Sequence, residues 1–173
     1  MKGTILMKRF LAILMAITML ALLAGCTEPS GDPSTGDEGD KPQEGFGFTL
    51  SGVELVPGTA YPADKLPEPA SVSTIPSCAI EGTDNVYNFT TVEVTAFQDS
   101  SGEVIYSIYI LDANTSTAEG LYLGDPLSRA TELYGADYQR NGTQVTYKKG
   151  STLLVLLLQN ECVTSIEYRM VTE

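Results

Sequence analysis

The sequence predicts an α+β domain, built as two tandem helix-plus-antiparallel-strand units that form one sheet with short helices on one face. Three observations lead there. First, VIYSIYI at 104–110 lines up with CVTSIEY at 162–168, sharing a β-branched residue, any residue, Ser and Ile, the mark of an internal repeat. Second, Gly124-Asp125-Pro126 precedes apolar residues at Leu127, Ala130, Leu133 and Tyr134. That is a helix start with Asp125 as cap and Pro126 in the first turn, followed by one apolar helical face. Third, the remaining apolar runs are punctuated by Asp99-Ser100-Ser101-Gly102, Lys149-Gly150 and Asn160-Glu161, which read as hairpin turns.

The chain before the repeat carries an address. Residues 1–25 hold Lys2, Lys8 and Arg9 and no acidic residue, and 10–24 are apolar except for Thr18. A stretch of fifteen residues suits a signal-peptide core and falls short of the ~20 of a spanning helix. The stretch ends Leu23-Ala24-Gly25-Cys26, which resembles a bacterial lipobox: cleavage after Gly25 leaves Cys26 to carry a diacylglyceryl thioether. Two acyl chains suffice for stable anchoring. An ordinary secretory signal or an uncleaved anchor is the competing reading. Met7-Lys8-Arg9 would serve as a start as well as Met1. The expected location is extracytoplasmic, on a membrane through lipidated Cys26 and not across it.

Residues 27–45 hold six acidic residues, one Lys, three Pro and four Gly, with no side chain fit for a core. Cys26 and this acidic stretch (26–45) read as an anchor and a disordered tether. The domain is expected over 46–173, with units at about 46–112 and 118–171. In the second unit Gly135 stops the helix, and strands are expected at 144–148, 151–159 and 162–170. In the first unit Pro62 opens a short helix that Pro67 and Pro69 end, with strands at 85–90, 91–98 and 103–111. Asn85-Val86-Tyr87 matches Gln144-Val145-Thr146-Tyr147 loosely, and Gly52-Val53-Glu54-Leu55 matches Gly120-Leu121-Tyr122-Leu123.

The run TAEGLYLGDPLSRATELYG, followed by a V-T-S-I-E-Y strand, resembles a group of uncharacterised Gram-positive envelope lipoproteins. Their tandem repeats are similar in plan to the β-lactamase inhibitor protein fold, and outer-membrane assembly lipoproteins of the SmpA/OmlA type share the half-unit. The resemblance covers 46–171. It implies the fold and an anchor on the outer leaflet of a Gram-positive cytoplasmic membrane. The inhibitor family meets its target through an open sheet face and loops, and no counterpart of such a loop is identifiable in this sequence.

Composition narrows the chemistry. There are 22 acidic and 10 basic residues and no His. Net acidity disfavours nucleic acid as a partner. The lack of His removes the commonest general base and metal ligand. No S-x-x-K or G-x-S-x-G occurs. Ser107 and Ser165 read as small side chains on a sheet face, and Asp84, Asp99, Glu103, Asp112 and Glu161 as solvated surface. No catalytic residue, metal site or cofactor is expected. Cys78 and Cys162 either form a disulfide closing a long loop or stand as two independent thiols.

Strict alternation along 104–111 assigns Val104, Tyr106, Ile108 and Ile110 to the core. The opposite face then carries Ile105, Tyr109, Val163 and Glu167 as an open, partner-binding surface. The expected function is a non-catalytic binding module whose partner is an envelope protein or an extracellular ligand. An inhibitor of an extracellular enzyme is the alternative, and a carboxylate-dependent hydrolase the third reading.

Overall fold

A computed structural model of the chain describes residues 45–77 and 82–172. The signal segment, Cys26, the tether up to residue 44 and Cys78 lie outside the described residues. Those described belong to one compact unit.

Among the described residues ten strands and one helix follow in order: β1 (Phe48–Leu50), β2 (Val53–Leu55), β3 (Ser71–Pro76), β4 (Thr83–Asn88), β5 (Val92–Asp99), β6 (Gly102–Ile110), α1 (Leu127–Tyr134), β7 (Gln139–Asn141), β8 (Gln144–Lys149), β9 (Thr152–Gln159) and β10 (Cys162–Met170). Strands β1 and β2 form a hairpin, and the other eight form one antiparallel sheet ordered β3-β4-β5-β6-β10-β9-β8-β7. Each half of the sheet is thus a four-stranded meander, and the last strand of each meets the other at the centre.

The described residues are mostly β, at 52% strand and 6% helix, which corrects the α+β expectation of helices layered on one face. The physical reason lies in the first half. Between Tyr61 and Ala70 the chain makes only a turn, with Lys65 N–H donating to Pro62 C=O at 3.0 Å. Pro67 and Pro69 lack the N–H groups a helix would need and push their predecessors out of helical geometry. The second half keeps its helix, one residue later than expected. Pro126 is extended at the cap position, and the Asp125 carboxylate accepts from Tyr122 N–H at 2.8 Å instead of capping α1. Strands β1, β2, β3 and β7 add to those expected. The β3 segment, SVSTIP, has no alternating pattern and all six residues are exposed.

The repeat is closer in structure than in sequence. Gly58 N–H donates to Ile105 C=O at 2.7 Å, and Gly124 N–H donates to Val163 C=O at 2.7 Å. Tyr61 N–H reaches Glu103 C=O at 2.8 Å, as Leu127 N–H reaches Glu161 C=O at 2.9 Å. Both glycines sit at positive φ, 90° and 93°, a region that favours Gly. The equivalent segments are therefore those ending in Gly58 and Gly124. This pairs Leu55 with Leu121 and corrects the register in which Gly52 matched Gly120.

Each central strand also carries a bulge at the equivalent residue. Pairing jumps from Thr95↔Ser107 to Ala96↔Ile105, leaving Tyr106 as the extra residue. It jumps likewise from Ser165↔Leu157 to Val163↔Leu158, leaving Thr164. A bulge slips the alternation by one residue and so exchanges faces beyond it.

One face of the sheet is packed. A single row runs across it through Tyr87, Val94, Ile108, Tyr168, Leu154 and Tyr147. The β1–β2 hairpin and α1 cover this face, Phe48 lying against Tyr168 and Phe46 edge-on to Tyr134. The entry strand is tied to the second half, with Phe46 N–H donating to Thr152 Oγ1 at 2.5 Å. Gly47 is required there, since a Cβ would stand 2.9 Å from Leu55 O.

Candidate functional site

No described element covers the other face, and its pairing register says which side chains it holds. Tyr109 and Glu167 are equivalent residues of the repeat and lie directly opposite one another on β6 and β10. They mark the centre of the pseudo-symmetric sheet. One step along, Thr95 pairs with Ser107 and Ser107 with Arg169. Thr95 and Ser107 are buried and small, so they floor a hollow between larger neighbours. The result is a groove of about 340 Å³ reaching from β3 to β10. Its walls are Asp84 and Val86 on β4, Tyr106 and Tyr109 on β6, and Glu167 and Arg169 on β10.

The charges in this groove are not ordinary surface charges. Glu167 is only 6% exposed. Burial pushes its carboxyl above the usual value, while Arg169 and Tyr109 draw it part of the way back. Arg169 Nη1 stands 3.8 Å from Glu167 Oε2. The Tyr109 hydroxyl is pushed up to about 12, first by burial and then by the adjacent Glu167. Asp84 is 5% exposed, and its Oδ1 has no hydrogen-bond partner among the described residues. A buried acceptor left unpaired is costly in a free protein.

Of the four residues expected on the open face, Tyr109 and Glu167 are there and paired. Ile105 and Val163 are not: they are 0% and 1% exposed and belong to the core. The two bulges are the cause, since each turns the residue before it back to the packed face. The same slip removes Tyr106 from the core and brings it to the groove. Val104 likewise is only half-buried.

Two carboxylates expected as solvated surface are instead drawn into the fold. Asp84 is the buried groove residue, and Glu103 accepts from Asn85 Nδ2 at 2.6 Å and from the Tyr87 hydroxyl at 2.8 Å. Its repeat equivalent, Glu161, remains at the surface and is held by Arg140 at 3.0 Å. Cys162 is a free, exposed thiol. Ser77, the residue before Cys78, closes the β3–β4 hairpin by donating to Gly82 C=O at 3.0 Å. That hairpin lies at the sheet's edge, four strands from β10. Among the described residues no group of three His, Cys, Asp or Glu side chains converges as a metal's ligands would, and no helix is long and apolar enough to cross a membrane.

Compared with protein-family models, curated proteins and solved structures, the chain gives no significant match.

Proposed function

We propose that the chain is a lipid-anchored, extracytoplasmic binding module that receives a protein partner on its open sheet face. The anchor rests on the sequence of residues 1–26, where basic start, apolar core and lipobox fall in register. The observation that carries the binding role is the hollow centred beside Tyr109 and Glu167. It joins aromatic side chains, buried polar groups and a small-residue floor on a face that no described element covers. Tyrosines offer a partner large contact area at low entropic cost. Inhibition of an extracellular enzyme is the special case in which the partner is an enzyme whose turnover stops on binding.

Two measurements test this reading. Capture from envelope extracts with the detergent-solubilised chain is expected to yield a stoichiometric partner, and Tyr109→Ala is expected to weaken it at least about tenfold, as for a central aromatic contact. A partner bound equally by both forms would sink the open-face role. Palmitate label is expected in the chain and lost in Cys26→Ala; label retained in that variant would refute the anchor.

A further inference from the structure

The charge of the folded domain is divided unevenly. Residues 46–112 hold nine carboxylates against Lys65 alone, whereas 113–173 hold seven against five basic residues. The groove lies mostly in the acidic half. It is lined by Asp84, Glu93 and Glu167, and the one cation among its described lining residues, Arg169, faces Glu167. Neither Asp84 nor Glu93 meets a cation at ion-pair distance among the described residues.

Asp84 departs furthest from an ordinary surface acid. It is nineteen-twentieths buried, lines the groove, and leaves Oδ1 unpaired. A carboxylate in that position is stabilised when a donor or a cation reaches it. Beside it the walls are Ile75, Val86 and Tyr106, which suit an aliphatic stem. Lysine and arginine present that combination of apolar stem and charged head, and a tyrosine face adds to cation attraction.

From this juxtaposition, and resting on the open-face reading above, we infer that the groove seats a lysine or arginine side chain from a basic segment of the protein partner, with Asp84 as its counter-ion. Glu93 adds to the field at the mouth. The Tyr109–Glu167–Arg169 group bounds the seat at the centre of the sheet.

The test uses the isotope-labelled full chain in detergent, titrated with acetylated, amidated tetralysine and tetra-arginine, with tetraglutamate and butylamine as comparisons. The cationic peptides are expected to shift the amides of residues 84–86, 93–95 and 106–109. Asp84→Asn is expected to weaken them at least tenfold. Glu54→Gln, which removes the same charge from the exposed hairpin, is expected to leave them unchanged. Asp84→Asn should fold with an unchanged or raised thermal midpoint, because it removes an unpaired buried charge. Shifts absent from the groove, or equal weakening by Glu54→Gln, would overturn the inference, as would tetraglutamate binding there as tightly as the cationic peptides. Loss of the envelope partner in Tyr109→Ala with full retention in Asp84→Asn would remove the cation seat and leave the binding-module reading standing.

Discussion

The two halves of the sheet share their scaffold and differ in what they place on the open face. Both have a positive-φ glycine, a short segment hydrogen-bonded to the start of the last strand, and a bulge at the equivalent residue. On the open face, however, Thr95 and Ser107 in the first half correspond to Leu157 and Ser165 in the second. The threonine leaves a hollow floor, whereas Leu157 stands 42% exposed above the sheet. Glu93 similarly corresponds to Val155. The acidic groove therefore lies mainly over the first half, whereas the second half raises Leu157 at the equivalent position. Common hydrogen bonds and core residues maintain the architecture. A few substitutions on the outer face, where packing does not constrain them, create the site.

The two halves share one core, and a substitution there tests whether they unfold together. Ile108 and Ile166 are equivalent and fully buried in the centre of the packed face. Ile108→Ala and Ile166→Ala are each expected to cost about 2–5 kcal/mol, the range for large-to-small changes in a core. Chemical denaturation should give one transition in both variants. Two separate transitions would show that the halves are independent and that the central β6–β10 pairing does not bind them into one unit.

The next effect concerns the charge at the centre. The Glu167 carboxyl titrates higher in the folded state than in an unfolded chain, where its ordinary value is 4.5. The native state therefore binds the proton more tightly. This contribution to stability is present below about pH 4.5 and is lost as pH rises through the folded pKa. Glu167→Gln should raise the thermal midpoint at pH 7 and flatten its dependence on pH above 4.5. A lower midpoint at pH 7 would show that Arg169 and Tyr109 outweigh burial.

The smallest change in stability should accompany the sharpest change in shape. Thr95→Leu copies the second half into the first and fills the floor of the groove. Its cost is expected to stay below about 1.5 kcal/mol, because the added volume projects into open space and not into the core. Partner binding, followed by calorimetry, should fall at least tenfold. Full affinity in this variant would separate binding from the groove.

Much of the sheet was legible in the sequence, for physical reasons that vary by strand. Strands β4, β5, β6, β8, β9 and β10 announce themselves through β-branched and apolar runs between turn residues. Strand β7, QRN, has no apolar side chain and pairs only at an edge. Strand β3 has Val72 and Ile75 three residues apart, which matches neither face of a strand. The first-half helix looked available from Pro62, but two further prolines left only a turn.

The site was half legible for a single reason. Strict alternation from Ile108 places Tyr109 correctly and misplaces Ile105 and Tyr106, because it cannot count the extra residue of a bulge. A signal was present nonetheless. Ile105 and Ile108 are three apart, as are Val163 and Ile166, and the same break of period recurs in both units. A break that recurs in a repeat marks a bulge. Asp84 gave no such sign, since only the fold buries it.

The proposed partner site is the open face beside Tyr109. Site-specific photo-crosslinking in intact cells tests it directly, with p-benzoylphenylalanine placed at position 109 or at position 49, on the exposed side of β1. A crosslinked adduct is expected from position 109 and none from position 49. An adduct from position 49 alone would put the partner on the hairpin side and contradict it.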